Sequence, residues 1–242
     1  MLIGGINKSS LIDYPKKISA VIFLIGCNFN CPYCHNPELV ISNIIEPIDI
    51  NSIYSFLNSR KGLLDAVVIT GGEPTLHKKL PEFIKNIKDM GYLIKLDTNG
   101  TNPLMVQILI ENKLVDYVAM DIKAPFDEYR NIVSKEVNIE NIQKTFKILA
   151  QGKVDYEFRT TVVSNLLNYD SFVKINEIFK KEGKIKKYCL QRFKKSKHLN
   201  ENYLNAKTFT DEEFEKVSLL FKNTVEEFIV RWRWKTNLSP WF

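Results

Sequence analysis

The chain has 242 residues, 45% hydrophobic and 26% charged, a balance that excludes a disordered or fibrous protein. At that length one domain over 1–242 is expected, burying roughly 70–75% of its unfolded surface without a disulfide framework. Thirty-four basic against 28 acidic residues leave a charge of +6, too modest for a nucleic-acid footprint, so nucleic acid is not an expected partner.

No apolar run reaches the roughly 18 residues that cross a bilayer. The opening MLIGGINKSSLIDYPKK has neither a long apolar stretch nor a small-residue cleavage site, so a cytoplasmic protein without membrane partners is expected. Strands are predicted at 19–26, 66–70, 93–97, 117–123, 155–163 and 187–193, and helices at 51–59, 79–90, 103–112, 139–151 and 169–181. Runs such as AVVIT and YVAMDI are apolar on both faces, as in parallel strands covered by helices. Six β-then-α units predict an α/β fold, a partial (βα)6 TIM-type barrel of parallel strands. Gly91 stands where the helix ending near Met90 favours a left-handed cap. Thr210 and Glu213 read as a capping box, and Phe214, Val217, Leu220, Phe221, Val225 and Phe228 follow at helical spacing. The tail at 228–234, with its alternating IVRWRW, reads as a late strand or an extension over the barrel. The lysine-rich 180–187 and 194–197 read as solvated faces.

Cys27, Cys31 and Cys34 crowd into eight residues, and Cys189 stands far away. That spacing is wrong for a secreted disulfide scaffold and right for a metal or cluster site in a reducing compartment. The loop at 26–36 follows the apolar VIFLI, which puts the thiols at a strand's C-terminal end, the edge where α/β folds bind ligands. Soft thiolates select iron–sulfur clusters, zinc or Cu(I). A structural zinc site needs a fourth ligand, for which His35 and Cys189 are the nearest candidates. An iron–sulfur cubane on three cysteines would leave one iron for a non-protein ligand. Cys189 itself reads as a buried strand residue, and His77 and His198 as surface residues.

Polar residues close the other predicted strands. In Thr70-Gly71-Gly72-Glu73-Pro74 the glycines permit close backbone approach, so this is a loop able to offer backbone groups and a carboxylate to an ammonium, or a plain turn. Asp97-Thr98-Asn99-Gly100 ends the third strand, with an Asx-type turn as the alternative. Asp121-Ile122-Lys123 ends the fourth. Arg159, amid apolar neighbours, needs a partner, either a ligand or a carboxylate. Gln191-Arg192-Phe193 closes the sixth.

C-x-x-x-C-x-x-C after the first predicted strand, with SLIDYP before it and FLIGCNFNCPYCHNPEL around it, resembles the radical S-adenosylmethionine (SAM) superfamily. Within it the chain is similar to the activating proteins of glycyl-radical enzymes, those of anaerobic ribonucleoside-triphosphate reductase and pyruvate formate-lyase among them. The likeness runs over roughly residues 9–193, leaving 194–242 as a C-terminal helix and tail. The resemblance implies a radical SAM oxidoreductase in which Cys27, Cys31 and Cys34 hold a [4Fe–4S] cluster whose open iron takes the amino and carboxylate groups of SAM. It further implies reductive cleavage of SAM to a 5′-deoxyadenosyl radical, and a glycyl radical installed on a partner enzyme of the anaerobic ribonucleotide reductase type. An electron donor such as flavodoxin or ferredoxin would be needed. The SAM contacts it implies are Tyr33, His35, Gly71, Gly72, Glu73, Asp97, Thr98, Asn99, Asp121 and Lys123, with Arg159 and Gln191 as further candidates. Lys123 would face the SAM carboxylate, while Asp97, Thr98 and Asp121 would cage a monovalent cation beside it. One spare cysteine supplies no auxiliary cluster. Two departures stand out: Lys16, where relatives often have glycine after DYP, and Ser164-Asn165, where many have a Pro-Gly turn. Two other readings stay open, a radical SAM enzyme modifying a nucleoside, tRNA or small metabolite, and a non-enzymatic iron–sulfur or zinc module.

Overall fold

The six strands read from the sequence become six adjacent parallel strands in a computed structural model that describes residues 1–40, 45–195, 201–203 and 205–232. Lys197, His198 and Arg233-Trp234 lie outside the described residues. The strands are β2 (Lys17–Leu24), β3 (Ala66–Gly71), β4 (Leu93–Thr98), β5 (Tyr117–Asp121), β6 (Asp155–Val162) and β7 (Ile185–Arg192). Two more flank them. β1 (Ile3–Tyr14) pairs antiparallel with β2, and β8 (Val225–Trp232) pairs parallel with β7. The spatial order is β1 through β8 in sequence, and β1 and β8 are its two edges, so the partial barrel is open on one side.

Helices α1 (Ile50–Ser59), α2 (Leu80–Asp89), α3 (Pro103–Glu111), α4 (Tyr129–Val133), α5 (Ile139–Ala150), α6 (Tyr169–Lys181) and α7 (Asp211–Phe221) fall between successive strands. Their starts follow local chemistry. Asp49, Asn102, Asn138 and Asn168 each accept a backbone N–H two or three residues into a helix, and Pro103 sits at the first turn where its missing N–H costs nothing. Gly91 takes φ 96° just past α2, as the sequence predicts.

Two elements differ from the sequence reading. β1 was not predicted. Leu11 and Ile12 face solvent and three register shifts break its alternation, which erases the period-two signal. The helical stripe also ends early: α7 stops at Phe221, and Val225 and Phe228 belong to β8. Phe228 nevertheless stacks on Phe221 with centroids 5.5 Å apart, so the apolar contact survives the change of element. Lys16 sits after Pro15 in the β1–β2 turn at φ 62°, a left-handed conformation that favours glycine.

The core has two layers. Helix-facing side chains form the larger, with Phe146, Phe158, Phe179, Tyr188 and Phe221 in mutual ring contact. The inner face of the sheet holds Val21, Phe23, Val68, Tyr117 and Ala119 around Tyr14. Further along the same strands, toward their C-terminal ends, the inner face turns from apolar to charged.

Candidate active site

Where β2 to β6 end, the chain forms a cavity of about 110 Å³ that opens to solvent. Cys27, Cys31 and Cys34 line it together, in the loop after β2. Burial pushes the Cys27 thiol up to about 12 and the Cys31 thiol to about 11. Cys189 is wholly enclosed in β7 and does not line the cavity, as expected of a strand residue. Among the described residues no group of three His, Cys, Asp or Glu side chains has the spacing to hold a single metal ion.

The two glycines after β3 are set by backbone approach. A Cβ on Gly71 would lie 2.3 Å from the Leu24 nitrogen, and one on Gly72 2.0 Å from the Gly26 oxygen. The space is used for two hydrogen bonds: Gly72 N–H donates to Leu24 O at 2.8 Å, and Glu73 N–H to Gly26 O at 2.7 Å. The loop that follows β3 is thereby stitched to the start of the cysteine loop. The Glu73 side chain lines the site differently from its sequence reading. It is wholly enclosed, and both oxygens accept hydrogen bonds, from Thr75 N, Thr75 Oγ1, Thr98 Oγ1 (2.8 Å) and Asn99 N (2.6 Å). The carboxylate ties the β3 end to the β4 end, which leaves the backbone of Gly71 and Gly72 at the cavity surface.

Asn99 continues the stitching. Its Nδ2 donates to Asn28 Oδ1 (2.8 Å), and Asn28 Nδ2 donates to Thr101 Oγ1 (2.9 Å), joining the cysteine loop to the β4 loop. On the other side Asn30 N–H donates to Val133 O on α4 (3.0 Å). Tyr129, also on α4, accepts from Lys123 N–H at 3.0 Å and donates to Asp121 O at 3.4 Å. None of Asn28, Thr101 or Tyr129 was expected. Asn28 lies within the quoted cysteine motif, but Tyr129 reaches the site only through tertiary packing and leaves no local signal.

A string of buried ion pairs crosses the inner face. Lys123 Nζ lies 2.8 Å from Asp121 Oδ2; Arg159 Nε lies 2.9 Å from Asp121 Oδ1; Arg159 Nη1 lies 3.0 Å from Asp97 Oδ2; and Lys95 Nζ lies 2.5 Å from Asp97 Oδ1. Burial would raise the Asp97 carboxyl, but Arg159 and Lys95 outweigh it and hold it below the usual range. Desolvation opposes the charge on Lys123 as well, and Asp121 more than compensates, so its pKa is raised. These contacts correct the cation cage. The positive charge between Asp97 and Asp121 is the Arg159 guanidinium, and the Thr98 hydroxyl turns to Glu73.

Of the predicted residues, Tyr33, His35, Gly71, Gly72, Glu73, Asp97, Thr98, Asn99, Asp121, Lys123 and Arg159 line this cavity with the three cysteines. Gln191 does not; it accepts from Thr161, which does. The His35 ring packs on Phe193 at the end of β7, centroids 5.8 Å apart. His77, expected at the surface, is half-buried, and its Nε2–H donates to Ile25 O at 3.0 Å.

The donor set fits a thiolate-held cluster with a polar organic ligand beside it. Three thiols share one cavity with two cations and backbone polar groups. Among the described residues the enclosed Tyr33 hydroxyl, at the same wall, has no hydrogen-bond partner, a group that a polar ligand would satisfy.

This fold and this cysteine loop define a radical SAM protein, and the chain belongs to the Radical SAM superfamily, whose family profile matches residues 21–181. It is therefore an enzyme of radical chemistry, and membership implies SAM and a [4Fe–4S] cluster. A candidate glycyl-radical enzyme activating enzyme of Methanocaldococcus jannaschii is 36% identical over 241 residues, 95% of each chain. The 7-carboxy-7-deazaguanine synthase of Aquifex aeolicus is 37% identical over 83 residues, 34% of this chain and 36% of its own. A solved domain of pyruvate-formate lyase-activating enzyme from Bacteroides vulgatus shares the fold, with a TM-score of 0.52 and 16% identity over 67% of this chain and 98% of that one. Among the described residues no helix is long and apolar enough to cross a membrane.

Proposed function

We propose that this chain is the activating enzyme of a glycyl-radical enzyme, of the anaerobic ribonucleotide reductase type, reduced by a flavodoxin or ferredoxin. The observation that carries the reading is its 36% identity to a candidate activating enzyme across 95% of both chains. The likeness to the deazaguanine synthase covers only about a third of either chain. The open side between β1 and β8 also suits a bulky partner, because a glycine held in another protein's loop must reach the cavity.

In this reading Cys27, Cys31 and Cys34 hold the cluster and leave one iron to SAM. With both bound, the cluster would supply the electron for reductive cleavage of SAM to methionine and a 5′-deoxyadenosyl radical, and that radical would take a hydrogen atom from the partner's glycine. The chain's own residues orient and enclose. The backbone of Gly71 and Gly72 faces the SAM amino group, and Lys123 faces its carboxylate. Tyr33 and His35 pack beside the nucleoside. Asn99 anchors the cysteine loop through Asn28. Glu73 and Thr98 fix the β3 and β4 ends, Arg159 fixes Asp97 and Asp121, and Gln191 acts through Thr161.

The test has two stages. Anaerobically reconstituted protein given dithionite and SAM should yield 5′-deoxyadenosine, and none should form after Cys27→Ala. A glycyl-radical enzyme from the same genome should then acquire a doublet radical signal in electron paramagnetic resonance. Product without any protein radical, but with turnover of a nucleoside or tRNA, would favour the modifying enzyme instead. A bound zinc and no product would reduce the chain to a passive module.

A further inference from the structure

Glu157 lies on the inner face of β6, two residues before Arg159, and is wholly enclosed. Its charge is met from β8. Arg231 Nη1 donates to Oε1 at 3.3 Å and Nη2 to Oε2 at 3.2 Å, while the Tyr117 hydroxyl donates to Oε2 at 3.3 Å. β7 stands between the two strands. The register sets Arg231 level with Gln191, and Arg159 level with Cys189, so the guanidinium reaches back across β7 beside the small, enclosed Cys189.

The other cations acting on Glu157 are Lys95 and Arg159. Both are already engaged, Lys95 with Asp97, and Arg159 with Asp97 and Asp121. A buried carboxylate stripped of its partner must recruit another cation, because an uncompensated buried charge is strongly unfavourable. Arg159 is within reach, two residues along the same strand face. Lys95, Lys123, Arg159 and Arg231 thus lie in neighbouring ion pairs with Asp97, Asp121 and Glu157.

We infer that Arg231 is a positioning residue for the SAM site: by holding Glu157 it leaves Arg159 free to bridge Asp97 and Asp121. The eighth strand, outside the six βα units, thus sets the binding of a carboxylate-bearing ligand. The inference rests on the SAM reading above, and one experiment separates the two.

Cluster-loaded protein is titrated calorimetrically with SAM in the absence of reductant, with a thermal melt of each variant alongside. Wild-type protein that binds no SAM overturns the SAM reading and this inference with it. Given wild-type binding, Arg231→Met should weaken it about tenfold, a coupling of ordinary size for a charge network. Glu157→Gln combined with Arg231→Met should bring affinity back to within about threefold of wild type, because a neutral amide no longer competes for Arg159. Unchanged affinity in Arg231→Met overturns the inference, as does a double variant that stays weak. Should Arg231→Met fail to fold, Arg231→Lys replaces it. A single-point cation should weaken binding less, and Glu157→Gln should again erase the effect; weakening that persists on the neutral background overturns the inference.

Discussion

Replacing Glu73 by glutamine separates a carboxylate that touches SAM from one that braces the site. Both oxygens accept, Oε1 from Thr75 and Thr98, and Oε2 from the Asn99 N–H. A glutamine must place its NH2 on one of these positions, where it meets a donor. At Oε2 the Asn99 N–H is left without a partner inside the protein. An unmade buried hydrogen bond costs about 1–3 kcal/mol, so about 2 kcal/mol is expected for Glu73→Gln. In a chain of this length each kcal/mol moves the melting temperature by roughly 2–4 °C, a fall of about 4–8 °C. The assay is a thermal melt of protein carrying neither cluster nor SAM, in which a ligand-contacting role contributes nothing. A melt within about 1 °C of wild type, with SAM binding lost, would refute the bracing argument.

Gly72→Ala should abolish cluster loading, read as iron content and visible absorbance after anaerobic reconstitution, because the new Cβ would fall 2.0 Å from the Gly26 oxygen beside Cys27. Lys16→Gly should raise the melting temperature by about 2 °C: a left-handed φ costs a non-glycine residue about 1–2 kcal/mol, and the looser unfolded chain gives back less than that. Acid should weaken the fold through Asp97 and Glu157. Burial raises both, but Arg159 and Lys95 on the first, and Lys95 and Arg231 on the second, hold their pKa values below normal. Stability from a depressed carboxyl is complete above its unfolded value and lost as pH falls through the folded one. Urea unfolding should therefore show a decline that sets in near the ordinary values of 4.5 and 3.8 and continues below them. Glu73, raised by burial, opposes this trend, and Asp97→Asn should flatten it.

β2, β3 and β5 were legible because both of their faces are covered and their runs are almost wholly apolar, as at Ala66 to Ile69. β1 was not, because solvent covers one face and its bulges shift the side-chain alternation. Val225 and Phe228 kept a helical period by coincidence of a short turn, and only their packing on Phe221 links the two assignments. The site was legible at the level of motifs, since parallel strands deliver all their C-terminal ends to one edge. Side-chain direction was not. Whether Glu73 points at a ligand or at Asn99, and whether Arg159 meets a substrate or two aspartates, depends on neighbours 26 and 62 residues away in the chain. Tyr129 and Arg231 act across such gaps without any local pattern to mark them.

Because the strands lie side by side in the order in which they are made, a ribosome exposes the three thiols long before it finishes their enclosure. Residue 34 precedes Arg159 by 125 positions, on the order of ten seconds of translation. For the first half of that interval the nascent cysteine segment lacks Asn99, and for most of it lacks α4.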